Sequence, residues 1–540
     1  MSDVNLEVNG LPFDARAIGG VSITYTYNTM PTASVQLVPG YVEQNAKEVL
    51  CDPDSLKSKT RESPVTIKLK SKTGCISFDG VFDGLSFNQS PGGMQYSAMF
   101  KSSFQPMLEI YPKFVGVDPI SILPFKRSPM LKVQYGESRN PYEELRVSIT
   151  NRLDLKKTIV ECYVDLVKGI LETQQNALYS TNLTQENSAI VDMLSQPEYQ
   201  VSVQKGLDFL NSVNLDYVTD CSVKASSCVN FLLDRVLYAK DTLWDTMMAG
   251  LSDMGCMLLP GKSTLYIVPK SNFIKFSGGG NPGFREMATS PNTAYPADYT
   301  SFSINDASYR NLRGCYVTPV INDPHPHLLS DWLSAAMGVY PSASEQGVSD
   351  GATGLLIVPA PDFLIQNIEG FYTGNSDIQS KMKDSGTAHG DKIISSPDEV
   401  KSSRKQVVED FKQIIPEVQE YLNNYAKSQF LQEKYAERGG SINMLLKPNW
   451  VPGTTGYVYS RHPGLAFHFY VESVTHYAHL GSGASGTAGS VVNFSSCRYA
   501  GSSGSVAGID SDPLFNFDSG KMSSLQSDWL SDVEGSATIG

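Results

Sequence analysis

His468, Glu472 and His476 recur at every fourth position. Side chains in a strand alternate with period two, so the three face one side, and His/Glu/His is a donor set that zinc accepts. Distance removes the site. Eight residues at about 3.3 Å each put the two histidines about 26 Å apart, whereas the ligands of one zinc lie about 2 Å from the ion. His476 and His479 are three apart and point opposite ways in a strand. In Asp323-Pro324-His325-Pro326-His327 two histidines could begin a site, but nothing nominates a third or fourth ligand. A solvated, proline-stiffened loop is the expectation there.

Other chemistry is equally poorly supplied. Gly261-Lys262-Ser263-Thr264 carries the last residues of a phosphate-binding loop. The earlier glycine of that pattern falls on Cys256, and strands rather than a helix flank the segment, so it reads as a hairpin turn. Ser277-Gly278-Gly279-Gly280 lacks dinucleotide spacing and a following helix. The one G-x-S-x-G spacing, Gly347-Val348-Ser349-Asp350-Gly351, falls in a Gly- and Ser-rich excursion with little regular pattern rather than on a strand-to-helix turn, and there is no H-E-x-x-H. A carboxylate pair of the glycosidase kind leaves no sequence signature. The eight cysteines form no C-x-x-C pair, which argues for free, mostly buried thiols. No metal, no cofactor and no catalytic residue is expected.

The elements carrying these residues are mostly strands. The chain has 540 residues, too many for one core. Its 18% charged and 10% aromatic residues, with plentiful Gly, Ser and Tyr, suit β-rich domains with many turns. No run of apolar residues is long enough to span a membrane. Met1-Ser2-Asp3-Val4-Asn5 has no signal-peptide character, so synthesis and folding in a cytoplasm are expected. The net charge of −13 and the lack of a basic stripe exclude a general DNA-binding protein.

Residues 1–115 read as an antiparallel barrel-like domain, with strands at Val21–Tyr27, Ala33–Val38, Pro64–Lys70, Cys75–Phe78, Phe82–Asn88 and Met94–Lys101. Residues 116–240 are a proline-rich connector and a helical region. Leu153, Ile159, Val160, Tyr163, Val164, Val167 and Leu171 form its clearest stripe, and shorter helices are expected near Ala189–Leu194, Val203–Val213 and Val229–Leu237. Residues 241–320 with 441–500 make a second barrel-like domain. It opens with a helix capped by Asp241 and a hairpin from Cys256 to Pro269, and it closes with strands from Ser441 to His479 and Ser490 to Arg498. In its long strand Phe467, Phe469, Val471, Thr475 and Tyr477 take the apolar face. Between the two parts lies an insertion, 321–440. It is a loop excursion to 395, then a helix capped by Ser396 with Pro397 at its first position and Glu399 closing the box. Residues 501–540, rich in Ser, Gly and Asp, read as a flexible tail. The expected class is therefore α+β: two antiparallel β-barrel-like tube domains, a helical middle region and a helical insertion.

The order of elements resembles a known family. A helix with Thr242-Leu243-Trp244-Asp245 ends at Gly255, and a hairpin ending Leu265-Tyr266-Ile267-Val268-Pro269 follows. After a long excursion come Tyr435-Ala436-Glu437-Arg438, Lys447-Pro448-Asn449-Trp450-Val451-Pro452-Gly453, and Phe469-Tyr470-Val471-Glu472-Ser473-Val474-Thr475-His476. Phe82-Asp83-Gly84-Leu85-Ser86 and Leu108-Glu109-Ile110-Tyr111-Pro112 fit the same picture. This pattern resembles the baseplate hub of contractile phage tails, the late control protein D family, related to the base of type VI secretion spikes. It covers about 1–115 and 240–500.

The resemblance implies a non-enzymatic homotrimer in the virion baseplate, assembled in the host cytoplasm. Three subunits of two tube domains would match the sixfold tail tube above to the threefold spike below. The implied partners are the tail tube protein and the central spike protein, with tape measure and wedge proteins as further candidates. DNA would pass without specific binding. Three chains carry three times −13, or −39, formal charges, and Asp79 and Asp83 are candidate acidic residues lining the channel. The rival readings are a tail-associated cell-wall hydrolase and a spike-base protein of a contractile secretion system.

Overall fold

In the computed structural model, alternating apolar residues drive the described part of the first hundred residues into strands. The structure describes residues 5–8, 18–38, 64–71, 74–90, 93–108, 110, 157–179, 197–218, 242–269, 274–275, 292–306, 314–318, 339–341, 355–359, 438–462, 465–479, 487–501, 516–517 and 519–534, with single positions between 422 and 429. The N-terminal strands are β1 (Asn5–Val8), β2 (Ile18–Thr26), β3 (Thr29–Leu37), β4 (Val65–Ser71), β5 (Gly74–Ser90) and β6 (Gly93–Ser102). Strand β5 merges two strands expected separately. The turn between β2 and β3 sits on Asn28, whose φ of 57° is a left-handed conformation that asparagine tolerates.

The middle of the chain contributes β7 (Val213–Asn214), β8 (Cys256–Pro260), β9 (Leu265–Pro269) and β10 (Ile274–Lys275). Further on are β11 (Thr293–Ala294), β12 (Tyr299–Asp306), β13 (Gly314–Thr318), β14 (Val339–Pro341) and β15 (Leu355–Pro359). The C-terminal set is β16 (Arg438–Leu445), β17 (Thr455–Tyr459), β18 (Leu465–His479), β19 (Thr487–Gly501) and β20 (Asn516–Phe517). Among the described residues the continuous helices are α1 (Ile159–Tyr179), α2 (Pro197–Asn211), α3 (Leu243–Asp253) and α4 (Ser519–Glu534), with a 3-10 turn at Gln105–Leu108.

Helix α1 buries Ile159, Val160, Tyr163, Val164, Val167 and Leu171, the stripe expected from sequence. It starts with a reciprocal cap: Glu161 N donates to Thr158 Oγ1 and Thr158 N donates to Glu161 Oε2. Helix α3 is capped by Thr242, not Asp241. Thr242 Oγ1 takes the Asp245 N–H at 3.2 Å, one residue later than expected. The helices expected near 189–194 and 229–237 lie outside the described residues, as does the helix from Ser396 apart from Leu422, Tyr425, Ala426 and Gln429.

Twelve strands join in one sheet, in the order β1-β4-β5-β6-β3-β2-β18-β19-β16-β12, with β17 and then β11 branching from β18. Every pairing is antiparallel except the two-residue β11–β17 contact. Two separate barrels were expected. The described strands instead form one open sheet, because β2 pairs with the second half of β18, from Ser473↔Thr26 to His479↔Gly20, and fuses the two sets edge to edge. The hairpin β8–β9 is also displaced from the expectation. It pairs with β7 in its own small sheet and packs Met257, Leu259, Tyr266 and Val268 into the core of the N-terminal strands.

The two halves of the sheet share one strand order and, in five of their six strands, one set of directions; the sixth differs, since β1 is antiparallel to β4 and β11 parallel to β17. In the first, the order is β2-β3-β6-β5-β4-β1; in the second it is β12-β16-β19-β18-β17-β11. The registers agree as well. Ile18 pairs with Leu37 and Gly20 with Gln36, skipping one residue; Tyr299 pairs with Met444 and Ser301 with Asn443, with the same skip. Asp83 is an extra residue between Phe82↔Phe100 and Gly84↔Met99, and Glu472 is the extra residue between Val471↔Phe494 and Ser473↔Asn493. A cross-strand serine contact recurs, Ser22–Ser34 at 2.8 Å and Ser303–Ser441 at 3.2 Å. Bulges that re-aim a strand at equivalent positions are features of a duplicated module.

The segment after 501 does not behave as a flexible tail throughout. Helix α4 buries Leu525, Trp529 and Val533 in the core shared by β2–β6 and the β8–β9 hairpin. Its apolar residues recur every four positions, which gives a helix one sticky side despite its polar composition.

Candidate functional site

Four sets of residues carry the chemistry, and the fold sorts them. The first is His468, Glu472 and His476 on β18. The extra residue at Glu472 changes the phase of the strand, so Val474, His476 and Ala478 take the buried side while Thr475 and Tyr477 do not. The expected apolar face therefore holds for Phe469 and Val471, which are buried, and for Phe467, which packs against the same core. Neither histidine stands at the surface of the chain: His468 is 4% exposed and His476 0%. His476 Nδ1 meets Ser490 Oγ at 2.8 Å, and that oxygen accepts from Lys447 N at 3.1 Å. Burial pushes the His476 imidazole down to about 3, which keeps it neutral at physiological pH. His468 lies against the Tyr457 ring, centroids 6.0 Å apart. Among the described residues no group of three His, Cys, Asp or Glu side chains converges on a metal position.

The second set is Asp79 and Asp83. Matching the bulges of the two modules places Asp79 where His468 stands and Asp83 where Glu472 stands, so the two faces singled out from sequence are one face of a duplicated strand. The carboxylates do not meet one metal or one substrate. Asp79 faces Lys262 Nζ at 3.3 Å, while Asp83, exposed on the bulge, pairs with Lys101 Nζ at 2.8 Å.

The third is the Gly261–Thr264 turn. It joins β8 to β9, as its flanking strands predict, and it does hold an anion. The Asp532 carboxylate of α4 takes Lys262 N at 2.8 Å, Ser263 N and Thr264 N at 3.2 Å, and Ser263 Oγ at 2.5 Å. Consecutive N–H groups converging on one carboxylate form an anion-binding nest. A side chain on Gly261 would sit 2.1 Å from Asp532 Oδ2, so the carboxylate can approach only because that residue is glycine. The turn thus serves as a clasp for α4. Asp532→Ala leaves these donors without their acceptor and lowers stability by about 1–3 kcal/mol. Urea unfolding checks this, and an unchanged midpoint removes the clasp.

The last set is the thiols. Cys162, Cys256, Cys315 and Cys497 are buried thiols, and Cys75 is a partly exposed one. Burial pushes Cys315 up to about 12, so it is protonated and unreactive. Asp323–His327 and Ser277–Gly280 lie outside the described residues.

Nothing in sequence marked α4 as the partner of the turn, or Lys101 and Lys262 as partners of the two aspartates. The one available signal was the spacing of Leu525, Trp529 and Val533. No helix among the described residues is long and apolar enough to cross a membrane.

No protein-family model matches the chain, and no curated protein matches it. Among solved structures it is similar to the tail protein from Neisseria meningitidis MC58, at 8% identity over 92% of this chain and 96% of that one, TM-score 0.40. It is also similar to the 43 kDa tail protein of prophage MuSo2 from Shewanella oneidensis, at 7% identity over 92% and 98%, TM-score 0.40. A third is an E. coli component of the type VI secretion system described as structurally similar to the T4 bacteriophage tail proteins gp27 and gp5, at 8% identity over 91% and 76%, TM-score 0.30.

Proposed function

We propose that this chain is a structural protein of a contractile phage tail, a trimeric baseplate hub that joins the sixfold tube to the threefold spike. The observation that carries the reading is the duplicated module: two units that share the topology of five strands and matching bulges, fused edge to edge by β2 and β18. A chain with two equivalent units presents six of them from three copies, which is how a threefold assembly meets a sixfold one. The sequence pattern from Thr242 to His476 points the same way.

The proposed partners are the tail tube protein, the central spike protein, and tape measure and wedge proteins. The proposed location is the baseplate of the virion. In this reading Asp83, exposed on its bulge, and Glu472 at the matching position carry the acidic lining. Asp79 contributes less, being drawn to Lys262. No catalytic step is assigned.

Sedimentation of the purified chain checks the assembly. The expected mass is near three times 59.0 kDa. A chain that stays monomeric and associates with neither tube nor spike protein defeats the proposal. Clearing of a peptidoglycan zymogram, abolished by one carboxylate substitution, would favour the hydrolase instead.

A further inference from the structure

The duplication predicts a contact that one chain cannot make alone. Strand β18 has two partners along one side: β17 as far as Tyr470, then β2 from Ser473 to His479. Its equivalent, β5, has β4 on that side as far as Gly80. Beyond Gly80 that edge of β5 has no strand partner among the described residues. Strand β12 is the equivalent of β2. It pairs with β16 on one side, and its other edge, where β2 receives β18, also has no strand partner among the described residues. The two open edges are therefore the two halves of the contact that β2 and β18 already make.

We propose that these edges pair between copies of this chain, β5 of one with β12 of the next, in the register that β18 and β2 use. Transferring that register through the matched bulges gives Leu85 opposite Asp306, Ser86 opposite Asn305, Phe87 opposite Ile304, Asn88 opposite Ser303, Gln89 opposite Phe302 and Ser90 opposite Ser301.

Burial supports the transfer. In the contact within the chain, His476 faces Ile23 and both are 0% exposed. Their equivalents are Phe87, 49% exposed and among the largest exposed apolar side chains, and Ile304, only partly buried. An apolar pair left in water on two open strand edges is completed by strand addition, in which backbone groups give affinity and side chains set register. The partner is a second copy because the two edges do not pair within one chain and each copy offers both. Such a head-to-tail contact builds a ring when its rotation closes and a filament when it does not. The number of copies, three, rests on the tail-hub reading; the strand contact does not.

The test is disulfide trapping in the full chain. Thr24 Oγ1 and Thr475 Oγ1 touch at 3.0 Å across the existing contact, so Thr24→Cys with Thr475→Cys is the control and closes within the chain. The equivalent pair is Ser86→Cys with Asn305→Cys. Facing residues in antiparallel strands have Cα atoms about 4.5–5.5 Å apart, within disulfide reach. Oxidation is expected to give covalent dimers and a closed trimer, absent from either single variant, from wild type with its native thiols, and from the shifted pair Ser86→Cys with Ile304→Cys. Phe87→Asp is expected to return the assembly to single chains with an unchanged far-ultraviolet circular dichroism spectrum.

Covalent ladders running past three copies would uphold the strand contact and overturn the trimeric closure. A trimer that fails to crosslink at Ser86→Cys/Asn305→Cys, while the control closes, would overturn the strand contact and leave the trimer standing. A chain that stays monomeric and uncrosslinked would overturn both.

Discussion

Trp529→Ala lowers the unfolding free energy by about 3–5 kcal/mol, the range for deleting a large buried aromatic side chain. The indole is 1% exposed and meets the Tyr25 ring edge-on, centroids 5.1 Å apart. Its Nε1 donates to Pro260 O at 3.3 Å, tying α4 to the end of β8. Around it, Tyr25 Oη donates to Ser77 O and Ser77 Oγ donates to Val533 O, both at 2.9 Å. Removing the indole opens a cavity at the one place where β2, β5, the hairpin and α4 converge, so the loss falls on the whole N-terminal module. Urea unfolding followed by far-ultraviolet circular dichroism measures it. Trp529→Phe, which keeps most of the volume, should lose less than half as much. A loss below about 1 kcal/mol for the alanine variant, the size of an ordinary surface effect, would mean that α4 is not part of the core.

The second large effect is a pH dependence set by His476. Its ordinary value is 6.5, and burial lowers it to about 3 in the folded chain. Between those values the unfolded chain binds one more proton than the folded one, so acid favours unfolding. The stabilising contribution is complete above pH 6.5 and is lost as pH falls towards about 3. The slope is up to about 1.4 kcal/mol per pH unit, or about 2 kcal/mol between pH 6.5 and 5. His476→Gln keeps a partner for Ser490 Oγ but cannot titrate. Unfolding curves at pH 7 and pH 5 should therefore differ more for wild type than for the variant. Equal differences would place the acid sensitivity on other groups.

Much of the N-terminal module is legible in the sequence. Val21, Ile23 and Tyr25, then Ala33, Val35 and Leu37, alternate as half-buried strands must, and all six are buried. The stripe of α1 is equally direct. What could not be read is pairing between distant elements. The fusion of β2 to β18 replaces two expected barrels with one open sheet, and no local pattern announces which edge a strand will meet. The extra residue at Glu472 is likewise invisible, yet it reverses the side to which every later residue of β18 points. The duplication is hidden for the same reason. Asp79 matches His468 and Phe87 matches His476, so the modules share a ladder but, apart from such pairs as Ser22–Ser34 and Ser303–Ser441, few side chains. Helix α4 was missed because composition outweighed three well-spaced apolar residues. The cap at Thr158 and Glu161 was there to be found.

Helix α4 also has a temporal consequence. The strands it completes are made before the helix, with Tyr25 and Trp529 some five hundred positions apart in the chain. On the ribosome the first module waits, with the site of the indole unfilled, until the residues through Trp529 have emerged. A chain interrupted before residue 519 lacks both Trp529 and the Asp532 clasp. Synthesis through α4 is thereby a condition for finishing the first core.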